Sequence, residues 1–157
     1  MCWPGAVVQA LAPPQAGKFK VVVATNIAES SITIPDAYLV VDICMQREIE
    51  YSEQAHANVL RLKWASRASL EQRRGRAGRV RAGVCLRLLS EGLLPHLQPF
   101  TTSEMGRVAL DGVVLRARVS LSGLGGATTV LSCAIDAPSA DNVLGCLQRL
   151  QRAGALQ

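Results

Sequence analysis

Residues 19–24 read Phe-Lys-Val-Val-Val-Ala, a short, β-branched and nearly all apolar run. That is the pattern of a strand buried on both faces. Residues 38–42, Tyr-Leu-Val-Val-Asp, repeat it after Pro35-Asp36. The link between the runs is polar, with room for one helical turn before Thr33. Two such strands joined by a short crossover predict an α/β fold with a parallel sheet. Ligands bind such sheets beyond the strand C-termini, and Thr25 and Asp42 both stand at that kind of end. Partial alternation over residues 46–51 and 59–64, around a polar link at 52–58, predicts a β-hairpin. Ser69-Leu70-Glu71-Gln72 matches a capping box and predicts a helix starting there. Residues 83–89 read as a further strand.

The pattern then changes from short strands to helical spacing. Residues 103–119 predict a helix that buries Met105, Val108, Ala109, Val113 and Val114. Gly123 to Gly126 breaks the chain. Pro138-Ser139 opens a last helix, with Val143, Leu144, Leu147 and Leu150 at helical spacing and Gly154 as its stop. The division this predicts is residues 1–100 for the sheet-bearing domain and 101–157 for the start of a helical one. Residues 12–17 are a turn-rich lead-in.

Composition narrows the chemistry. The chain has 157 residues, 49% of them hydrophobic, and a formal net charge of +5. That describes a globular protein with a basic surface, suited to nucleic acid, nucleotide or another polyanion. Aromatic residues make up 4%, too few for a binder built on base-stacking platforms. Cys2, Cys44, Cys85, Cys133 and Cys146 are scattered, with no C-x-x-C pair and no histidine at ligand spacing. They read as reduced thiols of a cytoplasmic or nuclear protein, with neither a metal site nor a disulfide framework. Apolar runs are far shorter than the roughly 20 residues a membrane span needs. Residues 1–11 lack the basic flank of a signal peptide.

The strongest local signal is Gln72-Arg73-Arg74-Gly75-Arg76-Ala77-Gly78-Arg79. Four arginines and two glycines in eight residues make a poor core element and a good anion site. Continued as a helix, the segment places Gln72, Arg76 and Arg79 at offsets of zero, four and seven, on one face. Planar guanidinium forks on one face suit a polyphosphate. Each glycine costs about 1 kcal/mol inside a helix relative to alanine, so close backbone approach or a kink is expected there. Arg73 and Arg74 point off that face and read as ion-pair or solvent residues. Thr25 and Asp42 also fit as strand-end caps. His56 and His96 lie in polar or turn contexts without a base role, Trp64 reads as packing, and Arg116 with Arg118 as an exposed helix edge.

Together with Ala24-Thr25-Asn26-Ile27-Ala28-Glu29-Ser30-Ser31-Ile32-Thr33-Ile34-Pro35-Asp36 and Val40-Val41-Asp42, the arginine segment resembles motifs V and VI of the DEAH-box RNA helicases. Order, strand context and separation all match. Trp64-Ala65-Ser66, Gly83-Val84-Cys85-Leu86-Arg87-Leu88 and residues 147–156 extend the likeness to that family's second RecA-like domain and winged-helix region. Glu29-Ser30-Ser31 and Asp42-Ile43-Cys44 look most like its Tudor-containing branch in germline small-RNA pathways.

The resemblance implies a partial RecA-like domain, of P-loop NTPase type with a parallel sheet, followed by a truncated winged-helix piece. It implies ATP bound between two RecA-like domains, with the first domain as partner and as source of the Mg2+ ligands. Gln72, Arg76 and Arg79 would be catalytic: the glutamine positions water, and the arginines neutralise phosphoryl charge, with Arg79 as the arginine finger. Thr33, Asp36 and Gly75 would join them at the nucleotide. Thr25, Asn26 and Ser31 would contact RNA backbone, without reading base sequence. Departures are Cys44 where many members have glycine, and Pro35 where many have an acid. There is also no G-x-x-x-x-G-K-[ST] loop and no Asp-Glu-x-His box; Gly17-Lys18-Phe19 is the nearest string to the former. Alone, the chain is therefore expected not to hydrolyse ATP, and a fragment of a longer protein is the simplest account. The alternative is a non-catalytic RNA-binding or interaction module derived from a helicase.

Overall fold

The computed structural model describes residues 4–156. They cluster into two compact units: one runs to Gln46 and includes Leu62–Thr101, the other holds Arg47–Arg61 and the residues from Thr102 onward.

In the first unit, helix α1 (Pro4–Leu11) leads to a single helical turn, α2 (Ile27–Ser30), and strand β1 (Leu39–Asp42). Helix α3 (Arg67–Arg74) and strand β4 (Val84–Arg87) complete it, after the hairpin strands described below. Strands β1 and β4 pair in parallel, with Leu39 opposite Val84 and Asp42 opposite Arg87. Period-two alternation sends Leu39, Val41, Val84 and Leu86 to one face, where each is about half exposed. The opposite face carries Val40, Asp42, Cys85 and Arg87, and α3 packs against β1. A small apolar cluster of Cys44, Ala65, Leu70 and Leu97, flanked by Leu89, Leu93 and Leu94, anchors α3.

Residues 19–24 do not form the expected strand. They are extended but unpaired, and Phe19, Val21 and Val23 are 89%, 83% and 95% exposed. A β-branched run becomes a strand only where a neighbour completes its hydrogen-bond ladder, and among the described residues the only partner of β1 is β4. Lys20 fixes this stretch instead, donating to the carbonyls of Ala10 and Ala12 and to Asp36.

The helix before the arginines starts three residues ahead of the expected capping box. Ser66, extended at ψ 158°, is the N-cap, and its Oγ accepts from the Ser69 amide at 3.2 Å. Ser69 and Gln72 therefore lie inside α3. The helix stops at Arg74, with Gly75 as its C-cap, so the single helical face through Gln72, Arg76 and Arg79 does not form. Beyond Gly75 the chain turns at Gly78, where φ is +83°, and folds back on Gly83. A Cβ on Gly83 would stand 2.5 Å from the Gly78 nitrogen. That contact is the close backbone approach the glycines foreshadow.

Strands β2 (Met45–Ser52) and β3 (Ala57–Trp64) form the expected hairpin. A four-residue link allows only an antiparallel pair, and His56 takes up the tight turn with φ +47°.

The second unit is built on α4 (Asp111–Ser120), α5 (Ala127–Ser132) and α6 (Ala140–Arg152). Leu110, Val114, Ala127, Leu131, Val143, Cys146 and Leu150 form its buried core. The expected helix over 103–119 is interrupted: Glu104–Gly106 is a 3-10 turn and α4 begins at Asp111. The backbone between them bonds to the hairpin instead. The Arg107 carbonyl accepts from the Tyr51 amide, Arg107 donates to the Ile49 carbonyl, and Asn58 accepts from the Ala109 amide. Helix α5 was not expected from the sequence.

In α6, Val143, Cys146 and Leu150 are buried, whereas Leu144 is 49% exposed. Positions 143, 146, 147 and 150 share a face, and Leu144 stands about 100° off it. Ser139 caps the start by accepting from the Asn142 amide. At the end, Gly154 (φ +72°) donates to Gln151 and Ala155 donates to Leu150, the paired bonds of a Schellman motif. Among the described residues no helix is long and apolar enough to cross a membrane.

Candidate functional site

The two basic and polar segments singled out by the sequence lie together in the first unit, joined by side chains rather than by a shared helix face. Residues 25–31 wind into the α2 turn: Thr25 and Asn26 carbonyls accept from the amides of Ala28 and Glu29 at 3.2 and 2.9 Å. The turn leaves Thr25, Asn26 and Ser31 exposed and sends the Glu29 carboxylate inward.

Glu29 meets Arg73. Arg73 Nε donates to Glu29 Oε2 at 2.9 Å, and Nη1 donates to Asp42 Oδ1 at 3.0 Å and to the Met45 carbonyl at 3.2 Å. Nη2 donates to Gln46 Oε1 at 3.0 Å. Arg73 and Glu29 are each 13% exposed at the side chain, and Asp42 is 3%. Burial works against the Arg73 charge, but the bonds to Glu29 and Asp42 outweigh it and raise its pKa. Asp42 Oδ1 also accepts from the Cys44 amide at 2.8 Å, while its Oδ2 is buried without a hydrogen-bond partner. Burial, and then the Asp42 charge, push the Cys44 thiol up. Arg73 is thus the ion-pair residue the sequence suggested, and Arg74 forms an exposed pair with Glu71 at 2.6 Å.

Beyond α3, Arg79 Nη1 donates to Thr33 Oγ1 at 2.8 Å, bridging the two segments at an exposed surface. Arg76 Nε reaches back to the Gln72 carbonyl at 3.4 Å, and the Gln72 side chain is exposed. Gly75, as the α3 C-cap, is the pivot between them. Asp36 is not drawn into this group. Its carboxylate is held by Lys20 at 2.6 Å, which lowers its pKa. The neighbouring Arg81 guanidinium stacks over Tyr38, 4.6 Å from the ring centre. Among the described residues, no group of three His, Cys, Asp or Glu side chains is arranged to hold a metal ion.

Sequence reasoning missed the set Glu29, Asp42, Gln46 around Arg73, and it missed Gly83. The pairs are separated by 27 to 44 residues, so no local period could expose them. The one available signal was an acid in each of two strand-end segments facing a surplus of arginines.

The helicase conserved C-terminal domain profile matches residues 6–81, which contain both segments. The ATP-dependent RNA helicase TDRD9 of Danio rerio is 38% identical over 144 residues, 91% of this chain and 11% of that protein. Human TDRD9 is 37% identical over the same length, again 91% of this chain and 10% of that protein. Among solved structures, the E. coli DExH-box NTPase HrpB aligns at a TM-score of 0.83 and 31% identity, covering 96% of this chain and 18% of HrpB. A second HrpB structure, titled a DEAH/RHA helicase, aligns at 0.85 and 31% identity, covering 96% of this chain and 19% of that one. The chain spans about a tenth of the length of the curated relatives it matches. Its parallel sheet, its paired motifs and these likenesses agree: the chain belongs to the DEAH-box helicase family and has the RecA-like fold of that family's helicase C-terminal domain.

Proposed function

We propose that this chain forms one wall of the motor of an ATP-dependent RNA helicase. The observation that carries the reading is the Arg79–Thr33 hydrogen bond, which joins the arginine segment to the threonine- and serine-bearing segment at one exposed surface. Arg76 and Arg79 are permanently charged, lie outside any helix, and sit on a loop whose glycines admit close approach. Such a donor set fits a triphosphate. Gln72, Arg76 and Arg79 would hold its terminal phosphate, with Thr33 and Gly75 beside them. ATP supplies the phosphoanhydride whose hydrolysis drives the cycle. Gln72 orients the attacking water, and Arg79 acts as the finger, a role worth about 10³–10⁵ in rate. Asp36, held by Lys20, serves by fixing the loop that leads into β1. Mg2+ ligands do not fit the described residues and belong to the partner RecA-like domain.

Thr25, Asn26 and Ser31 would face RNA sugar and phosphate. Contacts of that kind position without reading bases, so binding is sequence-tolerant. In this reading the RecA-like part ends near residue 100, the winged-helix part begins after it, and the protein acts inside the cell, in cytoplasm or nucleus.

The test is binding of this chain to fluorescein-labelled RNA 12-mers of differing sequence, followed by anisotropy across a salt series. The expected result is similar Kd for every sequence and a linear fall of log affinity with log salt. Absence of binding at low salt, or strong preference for one sequence, would overturn the reading.

A further inference from the structure

The Arg73 cluster lies apart from the residues assigned to RNA and to the nucleotide. Arg73 uses both sides of its guanidinium: Nε on Glu29 of α2, Nη1 and Nη2 on Asp42, Met45 and Gln46 at the β1–β2 junction. It extends from α3, immediately after Gln72 and two residues before Gly75. One buried side chain thus joins the RNA-facing turn, the end of β1, the base of the hairpin and the start of the arginine loop. Two carboxylates share that single cation, and Asp42 Oδ2 has no partner at all. Burial of ionic groups favours a unique geometry more than stability. The α2 turn itself is four residues long and has no buried residue of its own, so Glu29 is the side chain through which it is held.

We propose that Arg73 is a positioning residue: through Glu29 it holds the turn bearing Thr25, Asn26 and Ser31 in the orientation that meets RNA, and it ties that turn to the arginine loop and the hairpin base. The proposal rests on the RNA-facing reading above and adds to it a residue that touches neither RNA nor nucleotide.

Its sign separates it from plain electrostatics. Removing Glu29 makes the chain more positive, which by charge alone tightens RNA binding. Loss of positioning weakens it.

The experiment measures RNA affinity across the salt series for Glu29→Ala, Glu29→Gln, Asn26→Ala and the unaltered chain, with thermal melts of each. Glu29→Ala is expected to weaken binding about tenfold, as site-to-site couplings commonly do, with the salt slope unchanged because no phosphate contact is lost. Glu29→Gln keeps an acceptor for Arg73 Nε and is expected to restore most of the affinity. Asn26→Ala weakens binding whether or not Arg73 positions the turn. Weaker binding by Asn26→Ala together with unchanged or tighter binding by Glu29→Ala would overturn the positioning role while leaving the RNA reading intact. A loss in Glu29→Ala that only tracks a lowered melting point, and vanishes at temperatures where it is fully folded, also overturns it. If the unaltered, folded chain binds no RNA, the RNA reading falls and the positioning role with it.

Discussion

The two units hold themselves together by different means. In the second, α4, α5 and α6 enclose seven buried residues, and Arg149 closes the edge with two bonds to Asp111 at 3.1 Å. In the first, four buried residues form the apolar cluster, and the polar Arg73 network links α2, α3 and β1. One face of its β1–β4 pair leaves Leu39, Val41, Val84 and Leu86 half exposed. Hydrophobic burial is tolerant of small displacements, whereas a buried ion network works only with its geometry intact. The unit that carries the candidate site is therefore the one whose shape depends on individual hydrogen bonds.

Breaking the two arginine networks gives the largest contrast. Arg73→Ala strands Glu29 and Asp42 in a buried setting and is expected to cost about 3–5 kcal/mol. Arg149 and Asp111 are 37% and 32% exposed at the side chain, so Arg149→Ala is expected to cost under about 1 kcal/mol. Urea unfolding of both variants measures the difference. Within the apolar core, Leu110→Ala removes a side chain that is 1% exposed and is expected to cost about 3 kcal/mol, with RNA affinity unchanged once the protein is folded.

Gly83→Ala reverses that pattern. Its Cβ meets the Gly78 nitrogen and the Ala77 Cβ at 2.5 and 2.8 Å, so about 1–3 kcal/mol of strain falls on the arginine loop. RNA and triphosphate binding are expected to suffer more than stability, read by anisotropy and by melts. Ser66→Ala and Ser139→Ala each remove a helix cap, at about 1 kcal/mol apiece.

The smallest effect is acid sensitivity of the first unit. The hydrogen bond from Arg87 holds the Glu71 carboxyl below its usual range, against partial burial and with help from Arg74. Its folded pKa is depressed, so its contribution is present above the ordinary glutamate value and is lost as pH falls through the lowered one. A melting series from neutral pH to about pH 3 is expected to show a shallower acid decline for Glu71→Gln than for the unaltered chain.

What could be read from the sequence follows the range of the forces involved. Strand β1, the hairpin, the Ser139-capped helix and the Gly154 stop rest on patterns of a few residues, and they stand where the pattern put them. The cap at Ser66 was misplaced because two serines three apart, Ser66 and Ser69, offer similar starts. The bond between them is resolved only by the extended backbone at Ser66. The strand over 19–24 failed because pairing is a property of a neighbour rather than of the run. In the candidate site, local chemistry marked Thr33 and Arg79 individually. Their 2.8 Å contact, and the convergence of Glu29, Asp42 and Gln46 on Arg73, depend on chain reversals at Gly78 and at the β1–β2 junction.

The central claim is that Arg79 completes an ATP-hydrolysing site on an RNA-facing wall. The most direct measurement replaces the aligned segment of E. coli HrpB with residues 6–156 of this chain and follows ATP hydrolysis with and without RNA. The account predicts hydrolysis that rises with RNA and falls at least about 10³-fold in Arg79→Ala. An active chimera whose turnover is indifferent to Arg79→Ala would contradict it.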